Sequence, residues 1–104
     1  SLFSWVLENL LRNAVDAMEG RGEIKIHITH SVKGVTIDIS DTGKGISRQD
    51  LRSVFSPGFT TKKRGWGLGL SLVKRIIEEY HGGKISVLKS EVGVGTTFRI
   101  NISA

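Results

Sequence analysis

Two asparagines and an aspartate recur along the first apolar segment of the chain. Asn9 and Asn13 are four residues apart and Asp16 is three further on, so a helix would place all three on one side. Amide and carboxylate oxygens ligate hard cations, with water and phosphate filling the remaining positions. The alternative is a set of half-buried amides bonded to nearby loops, because an unpaired buried amide costs about 1–3 kcal/mol. The helix alone leaves both interpretations open.

A carboxylate also stands at the end of an alternating, strand-like segment. Asp41 opens the glycine-rich loop from Asp41 to Gly45 (DTGKG). An aspartate before a glycine turn is common and is the alternative interpretation. In an apolar pocket, however, a carboxylate accepts a hydrogen bond from an amino group and discriminates against ligands that lack this donor.

Glycines and basic residues precede the second long apolar segment. Glycines stand at 65, 67 and 69, directly after the basic run 62–64 (KKR). Glycines before a helix let backbone N–H groups approach an anion, and the positive end of the helix dipole faces it. The string matches neither the dinucleotide-binding fingerprint nor the P-loop. A solvated basic loop is the alternative.

The hydrophobic periodicity predicts the elements that must position these groups. Apolar residues at three- and four-residue steps predict helices, and alternation predicts strands, the first of them half-buried through Ile24, Ile26 and Ile28. The order favours helices on one face of a mixed or antiparallel sheet. The first helix starts on an apolar stretch without a preceding cap. The predicted helices are 1–18, 47–54 and 70–80, and the predicted strands are 23–30, 35–39, 85–87 and 98–102.

Length and composition exclude several classes of protein. The 104 residues are enough for one domain with one core. The absence of cysteine excludes disulfides, zinc–thiolate sites, iron–sulfur clusters and a thiol nucleophile. No stretch approaches the ~20 apolar residues of a membrane span. The formal charge of +5 fits an anionic ligand, nucleic acid or a role in solubility alone. The chain lacks the basic stripe with interleaved aromatic residues of a nucleic-acid-binding module.

Taken together and in this order, the motifs make the chain resemble the ATP-binding domain of the GHKL superfamily, and within it the sensor histidine kinases. The resemblance covers essentially the whole chain. It implies an α+β fold, a two-layer α/β sandwich with helices packed on one face of a mixed, mostly antiparallel sheet. The matching motifs are an asparagine box at 9–17, a first glycine box at 41–46, a phenylalanine box at 55–62, a second glycine box at 65–69 and a closing GxGTxF stretch at 93–98.

The resemblance implies that the ligand is ATP with Mg²⁺. Asn13 would be the main metal ligand, and Asn9 would support the metal and the phosphates. Asp41 would bond the exocyclic amino group of adenine, and Thr97 would reach the same carboxylate or a shared water.

Backbone groups would complete the implied site. Gly43 and Gly45 would let the backbone lie against the base. The phosphates would be bound by Lys62 and by the backbone amides around Gly65, Gly67, Leu68 and Gly69.

Departures from the superfamily pattern favour phosphoryl transfer over hydrolysis. Asn9 stands where hydrolytic relatives carry a glutamate base, and an amide cannot take a proton. Glu8 is one position away and points about 100° around the helix. Further departures at Asp16, Gly58 and Trp66 leave the roles of those residues open.

The resemblance also implies partners outside the chain. The histidines His27, His30 and His81 are expected to be surface or capping residues, so the phosphoacceptor histidine would lie on a separate dimerisation domain of the same protein. We therefore expect residues 1–104 to be a monomeric, cytoplasmic catalytic fragment that acts indirectly on a response regulator, without its dimerisation and sensor domains. The alternatives are another GHKL ATPase and a serine kinase of the anti-sigma-factor type.

Overall fold

The elements of the fold follow the predicted order. The computed structural model describes residues 1–56 and 69–103. The four strands in these ranges form one sheet in the order β1-β2-β4-β3, and every neighbouring pair is antiparallel. The α+β class is confirmed. The elements are α1 (Leu2–Ala17), β1 (Ile24–Ser31), β2 (Gly34–Asp41), α2 (Arg48–Leu51), α3 (Gly69–His81), β3 (Gly83–Glu91) and β4 (Gly95–Ser103).

The start of α1 differs from the expectation of an uncapped helix. The Ser1 hydroxyl accepts a hydrogen bond from the Ser4 backbone N–H at 3.2 Å, so Ser1 is the N-cap. This bond satisfies one of the backbone donors that a helix leaves unpaired at its first turn. The expectation was wrong because Ser1 itself is the capping residue.

One hydrophobic core lies between the helices and one face of the sheet. Helix α1 packs on β2, and α3 packs on β3 and β4. The two helices bury apolar residues spaced three and four apart, and the strands bury alternate residues. The core residues are Val6, Leu10, Ile37, Ile39, Val73, Ile76, Ile77, Ile85, Phe98 and Ile100.

Strand β1 is less buried than its alternating pattern predicts. Ile26 and Ile28 pair with the buried Ile39 and Ile37, so they lie on the helix-covered side of the sheet. Their side chains are nevertheless 53% and 60% exposed. The expectation of a half-buried strand was wrong for these two residues, because β1 is at the edge of the described sheet, beyond the strands on which α1 and α3 pack.

The third strand is longer than predicted because a bulge interrupts its alternation. The register of β3 against β4 shifts between Val87 and Lys89, which leaves Leu88 outside the regular pairing and 46% exposed. A bulge places two residues opposite one and breaks the period of two. The periodic signal therefore ends at Val87, whereas the strand continues to Glu91.

The second face of the sheet is polar. On it, Asp38 of β2 and Arg99 of β4 form two hydrogen bonds of 2.8 Å. The Arg99 guanidinium lowers the pKa of Asp38, mainly through these bonds. In the described ranges, no helix combines the length and apolar character needed to cross a membrane.

Candidate functional site

The carboxylate of Asp41 is buried at the end of β2, on the helix-covered face. Its side chain is 9% exposed. Oδ1 accepts hydrogen bonds from the backbone amides of Gly43 at 2.8 Å and Thr96 at 3.3 Å. Within residues 1–56 and 69–103, Oδ2 has no hydrogen-bond partner. A buried acceptor of this kind is costly unless a ligand or water donates to it.

Close contacts within the chain explain the glycines of the loop after Asp41. A Cβ on Gly43 would lie 2.7 Å from the carbonyl carbon and oxygen of Ala17, at the end of α1. Gly45 has φ +77°, and a Cβ there would overlap the carbonyl of Glu91. The Lys44 amide also donates to the Ala17 carbonyl at 3.0 Å. The loop is therefore held between α1 and the β3–β4 turn, and only glycine fits at these two positions.

Asn9 presents one amide oxygen toward the start of α3. Its Nδ2 donates to the Trp5 carbonyl one turn earlier at 2.9 Å. Its Oδ1 lies 3.6 Å from the position that a Cβ on Gly69 would take, and no described residue donates to it. One hydrogen of the amide nitrogen is used within the helix, and the oxygen is the group of Asn9 that could ligate a cation.

The asparagines lie on a ridge of α1 that connects the two sides of the site. Asn9, Asn13 and Ala17 follow each other at four-residue steps, so they share one helix face. Asn9 contacts the Gly69 region, and Ala17 contacts Gly43. The ridge spans about 12 Å along the helix axis. The half-buried Asn13 lies midway, between the loop of Asp41 and the start of α3.

The N-terminus of α3 faces this ridge at Gly69. The first amides of a helix have no partner within the helix, and the helix dipole makes this end positive. No acidic residue occupies the first turn of α3. The combination of the positive end of this helix and a nearby amide oxygen suits an anion that carries a bound cation.

The structure separates Thr97 from Asp41 and brings Thr96 there instead. Thr97 pairs with Ser40, and their hydroxyl oxygens are 2.8 Å apart on the polar face of the sheet. Thr96 pairs with Asp41 and donates its amide to the carboxylate. The expected Thr97–Asp41 contact is therefore corrected to Thr96. The signal was in the sequence: Thr96 shares its parity with the apolar Phe98, whereas Thr97 does not.

Several expected site residues lie outside the ranges that the structure describes. These are Lys62, Gly65, Gly67 and Leu68, together with Gly58 and Trp66, whose roles the sequence left open. Among the residues described, no group of three His, Cys, Asp or Glu side chains could hold a metal ion. A metal here would depend on amide oxygens, water and ligand phosphates, which is how Mg²⁺ often binds with a nucleotide.

In the described ranges, Glu8 and the two histidines of β1 are exposed. Glu8 is exposed on α1, one position from Asn9. His27 and His30 are exposed on the edge strand β1. The described arrangement can recognise an amino group at Asp41 and an anion with its cation at Asn9 and Gly69, which amounts to binding and positioning rather than acid–base chemistry.

Comparisons with known proteins place the chain in a family. The profile of the histidine kinase-, DNA gyrase B- and HSP90-like ATPases matches residues 2–104. The chain is 45% identical over 95 residues to the sensor histidine kinase ZraS of Escherichia coli K12, an alignment that covers 91% of this chain and 20% of ZraS. It is 34% identical over 110 residues to the nitrogen regulation protein NtrY of Azorhizobium caulinodans, covering 99% of this chain and 14% of NtrY. The chain thus spans a fifth or less of these relatives.

Solved structures agree with the sequence comparison. The nucleotide-free catalytic domain of histidine kinase ThkA superposes with a TM-score of 0.80 at 40% identity, over 94% of this chain and 63% of that one. The mycobacterial sensor histidine kinase MprB superposes with a TM-score of 0.79 at 25% identity, over 95% of this chain and 70% of that one. The chain belongs to the family of histidine kinase-, DNA gyrase B- and HSP90-like ATPases, with the fold of a histidine kinase catalytic domain.

Proposed function

We propose that this domain binds Mg-ATP and donates the γ-phosphate to a histidine on a separate dimerisation domain of its parent protein. The domain would lie in the cytoplasm, and its parent would be a sensor kinase that acts indirectly on a response regulator. The observation that carries this proposal is the buried Asp41 carboxylate, which has one oxygen held by backbone amides and one without a partner in the described ranges.

The unpartnered oxygen of Asp41 favours adenine as the base. An exocyclic amino group donates a hydrogen bond, and a buried carboxylate oxygen accepts one. A keto oxygen at the same position would set an acceptor against an acceptor and leave the carboxylate unpaired. The two backbone amides at Oδ1 fix the direction of Oδ2, so recognition needs no rearrangement of the side chain.

The phosphates would lie at the other end of the α1 ridge. Asn9 Oδ1, Asn13 and the first amides of α3 are the described groups that would hold the phosphates and Mg²⁺. The bound metal would neutralise charge on the phosphates. Lys62 and the amides around Gly65, Gly67 and Leu68 complete this proposal from the residues outside the described ranges.

The absence of a proton acceptor beside Asn9 among the described residues favours transfer to a histidine over hydrolysis. Asn9 cannot take a proton from water, and Glu8 is exposed on α1 rather than turned to Gly69. Phosphoryl transfer depends chiefly on positioning and charge stabilisation, which this site provides. A histidine supplied by another domain brings its own nucleophilic nitrogen.

Calorimetric titration of ATP into the Asp41→Asn variant tests the adenine contact. We expect ATP affinity to fall about 5- to 150-fold, because the change removes the charged acceptor and leaves polar groups unpaired, at about 1–3 kcal/mol. Asp38→Asn is the matched control, since Asp38 lies on the same strand but on the opposite face of the sheet. Unchanged ATP affinity in Asp41→Asn would remove the contact from the proposal.

A second arm tests the transfer step itself. The domain is incubated with ATP labelled in the γ-phosphate and with a histidine-bearing dimerisation domain in trans. We expect acid-labile label on the dimerisation domain and slow release of phosphate by the catalytic domain alone. Rapid phosphate release without the partner would instead support a hydrolytic ATPase.

A further inference from the structure

The side chain of Ser90 joins three parts of the structure around Asp41. Ser90 lies on β3 opposite Thr96. Its Oγ accepts from the backbone amide of Ile46 at 2.8 Å, lies 2.7 Å from the Thr96 hydroxyl, and is 3.3 Å from the carbonyl of Gly95. The bond to Ile46 connects the end of the Asp41 loop to the sheet.

One assignment of the hydroxyl hydrogens satisfies all three contacts. A serine hydroxyl has one donor hydrogen and two acceptor lone pairs. If its hydrogen goes to the Gly95 carbonyl, Oγ accepts from both the Ile46 amide and the Thr96 hydroxyl, and all three bonds are made. The hydrogen of Thr96 is then used by Ser90. With its donor occupied, the 5%-exposed Thr96 side chain offers only acceptor lone pairs.

We infer that Ser90 is a positioning residue that sets the preference of the Asp41 site for a ligand edge bearing an amino group. This inference rests on the proposed nucleotide function. Asp41 and Thr96 are paired across β2 and β4, and the Thr96 amide bonds the carboxylate. Because the Thr96 hydroxyl donates its hydrogen to Ser90, it cannot donate that hydrogen to a keto group of a ligand. The Asp41 carboxylate and the Thr96 hydroxyl then both act as acceptors.

Backbone contacts also hold the Asp41 loop, and they do not involve Ser90. The Gly93 amide donates to the Lys44 carbonyl at 2.9 Å, and Gly45 lies against Glu91. Replacing Ser90 by alanine leaves these backbone contacts in place. Removing the Ser90 hydroxyl deletes only the bond to Ile46 and the two contacts on β4, so the expected change is local.

The test compares ATP and GTP binding by calorimetry in the unmodified domain and in Ser90→Ala. We expect Ser90→Ala to weaken ATP binding roughly tenfold while GTP binding falls less or rises, because the freed Thr96 hydroxyl can donate to the keto oxygen of guanine. Ser40→Ala is the matched control: Ser40 makes the equivalent hydroxyl pair with Thr97 on the opposite face. Its ATP-to-GTP ratio should equal that of the unmodified domain.

A second variant separates the positioning role from a loss of stability. Thr96→Val removes the hydroxyl instead of freeing it, so GTP should stay as weak as in the unmodified domain. Thermal unfolding is followed for each variant. An equal loss of ATP and GTP affinity in Ser90→Ala, or improved GTP binding in Thr96→Val, overturns the inference. Failure of the unmodified domain to bind ATP would overturn the proposed function itself.

Discussion

At the scale of single residues, strand parity decides which polar groups belong to the site. Asp38 and Asp41 are three residues apart on β2 and therefore face opposite sides of the sheet. Asp38 meets a guanidinium, whereas Asp41 meets backbone amides in the covered layer. The adjacent threonines on β4 divide in the same way, with Thr96 beside Asp41 and Thr97 beside Ser40. Composition and motif matching alone do not show which residue of such a pair faces the site.

Substitution of Asn13 should affect binding of the metal rather than recognition of the base. We expect Asn13→Ala to lose most of the Mg²⁺-dependent part of ATP affinity, about tenfold or ~1.4 kcal/mol, because an amide oxygen is removed from the proposed ligand set. Affinity for adenosine, which has no phosphates, should stay the same. Titrations with and without Mg²⁺ measure the effect.

The control for Asn13 is an asparagine away from the site. Asn101→Ala removes an amide that accepts a bond from Thr36 on the polar face of the sheet. Its response to Mg²⁺ should match that of the unmodified domain. If Asn13→Ala keeps the full Mg²⁺ response, Asn13 is not a metal ligand and its contribution to the site is structural.

At the scale of elements, the loop from Asp41 to Ile46 is packed between the end of α1 and the β3–β4 turn. Its glycines were expected to let the backbone approach a base, and the structure supplies a different reason for them. Gly43 lies against Ala17 and Gly45 against Glu91. The glycine pattern could be found in the sequence, but the surfaces that demand it come from residues 26 and 46 positions away, which local pattern reasoning does not see.

The stability of the Gly43→Ala variant tests the close packing of this loop against α1. A methyl group 2.7 Å from the Ala17 carbonyl carbon and oxygen forces the loop or helix to shift, and overpacking of this kind costs about 1–3 kcal/mol. The free energy of unfolding in urea is the measurement. Gly69→Ala is the matched control, because the nearest described atom outside its own helix, Asn9 Oδ1, would lie 3.6 Å from the added methyl group. Alanine is also favoured over glycine in a helix. A Gly43→Ala variant as stable as Gly69→Ala would contradict the close contact.

At the scale of the whole molecule, the sequence predicts the layers better than the sheet order. Periodicity identified the two long helices and the four strands that the structure describes, because one buried face imposes a period of 3.6 or 2. It did not reveal the bulge at Leu88 or the position of β1 at the edge of the described sheet. Both depend on which strands become neighbours, and the order β1-β2-β4-β3 brings together segments far apart in the chain.

The edge position of β1 predicts unequal effects for two isoleucines that face each other. Ile28 on β1 pairs directly with Ile37 on β2, but Ile28 is 60% exposed and Ile37 is 7% exposed. Ile37→Ala should cost about 2–5 kcal/mol of unfolding free energy, since it leaves a cavity beside α1. Ile28→Ala should cost under about 1 kcal/mol, because solvent already covers much of the side chain. Urea denaturation of the two variants at one pH measures both. Equal losses would mean that Ile28 is buried in solution, and hence that another surface covers the β1 edge.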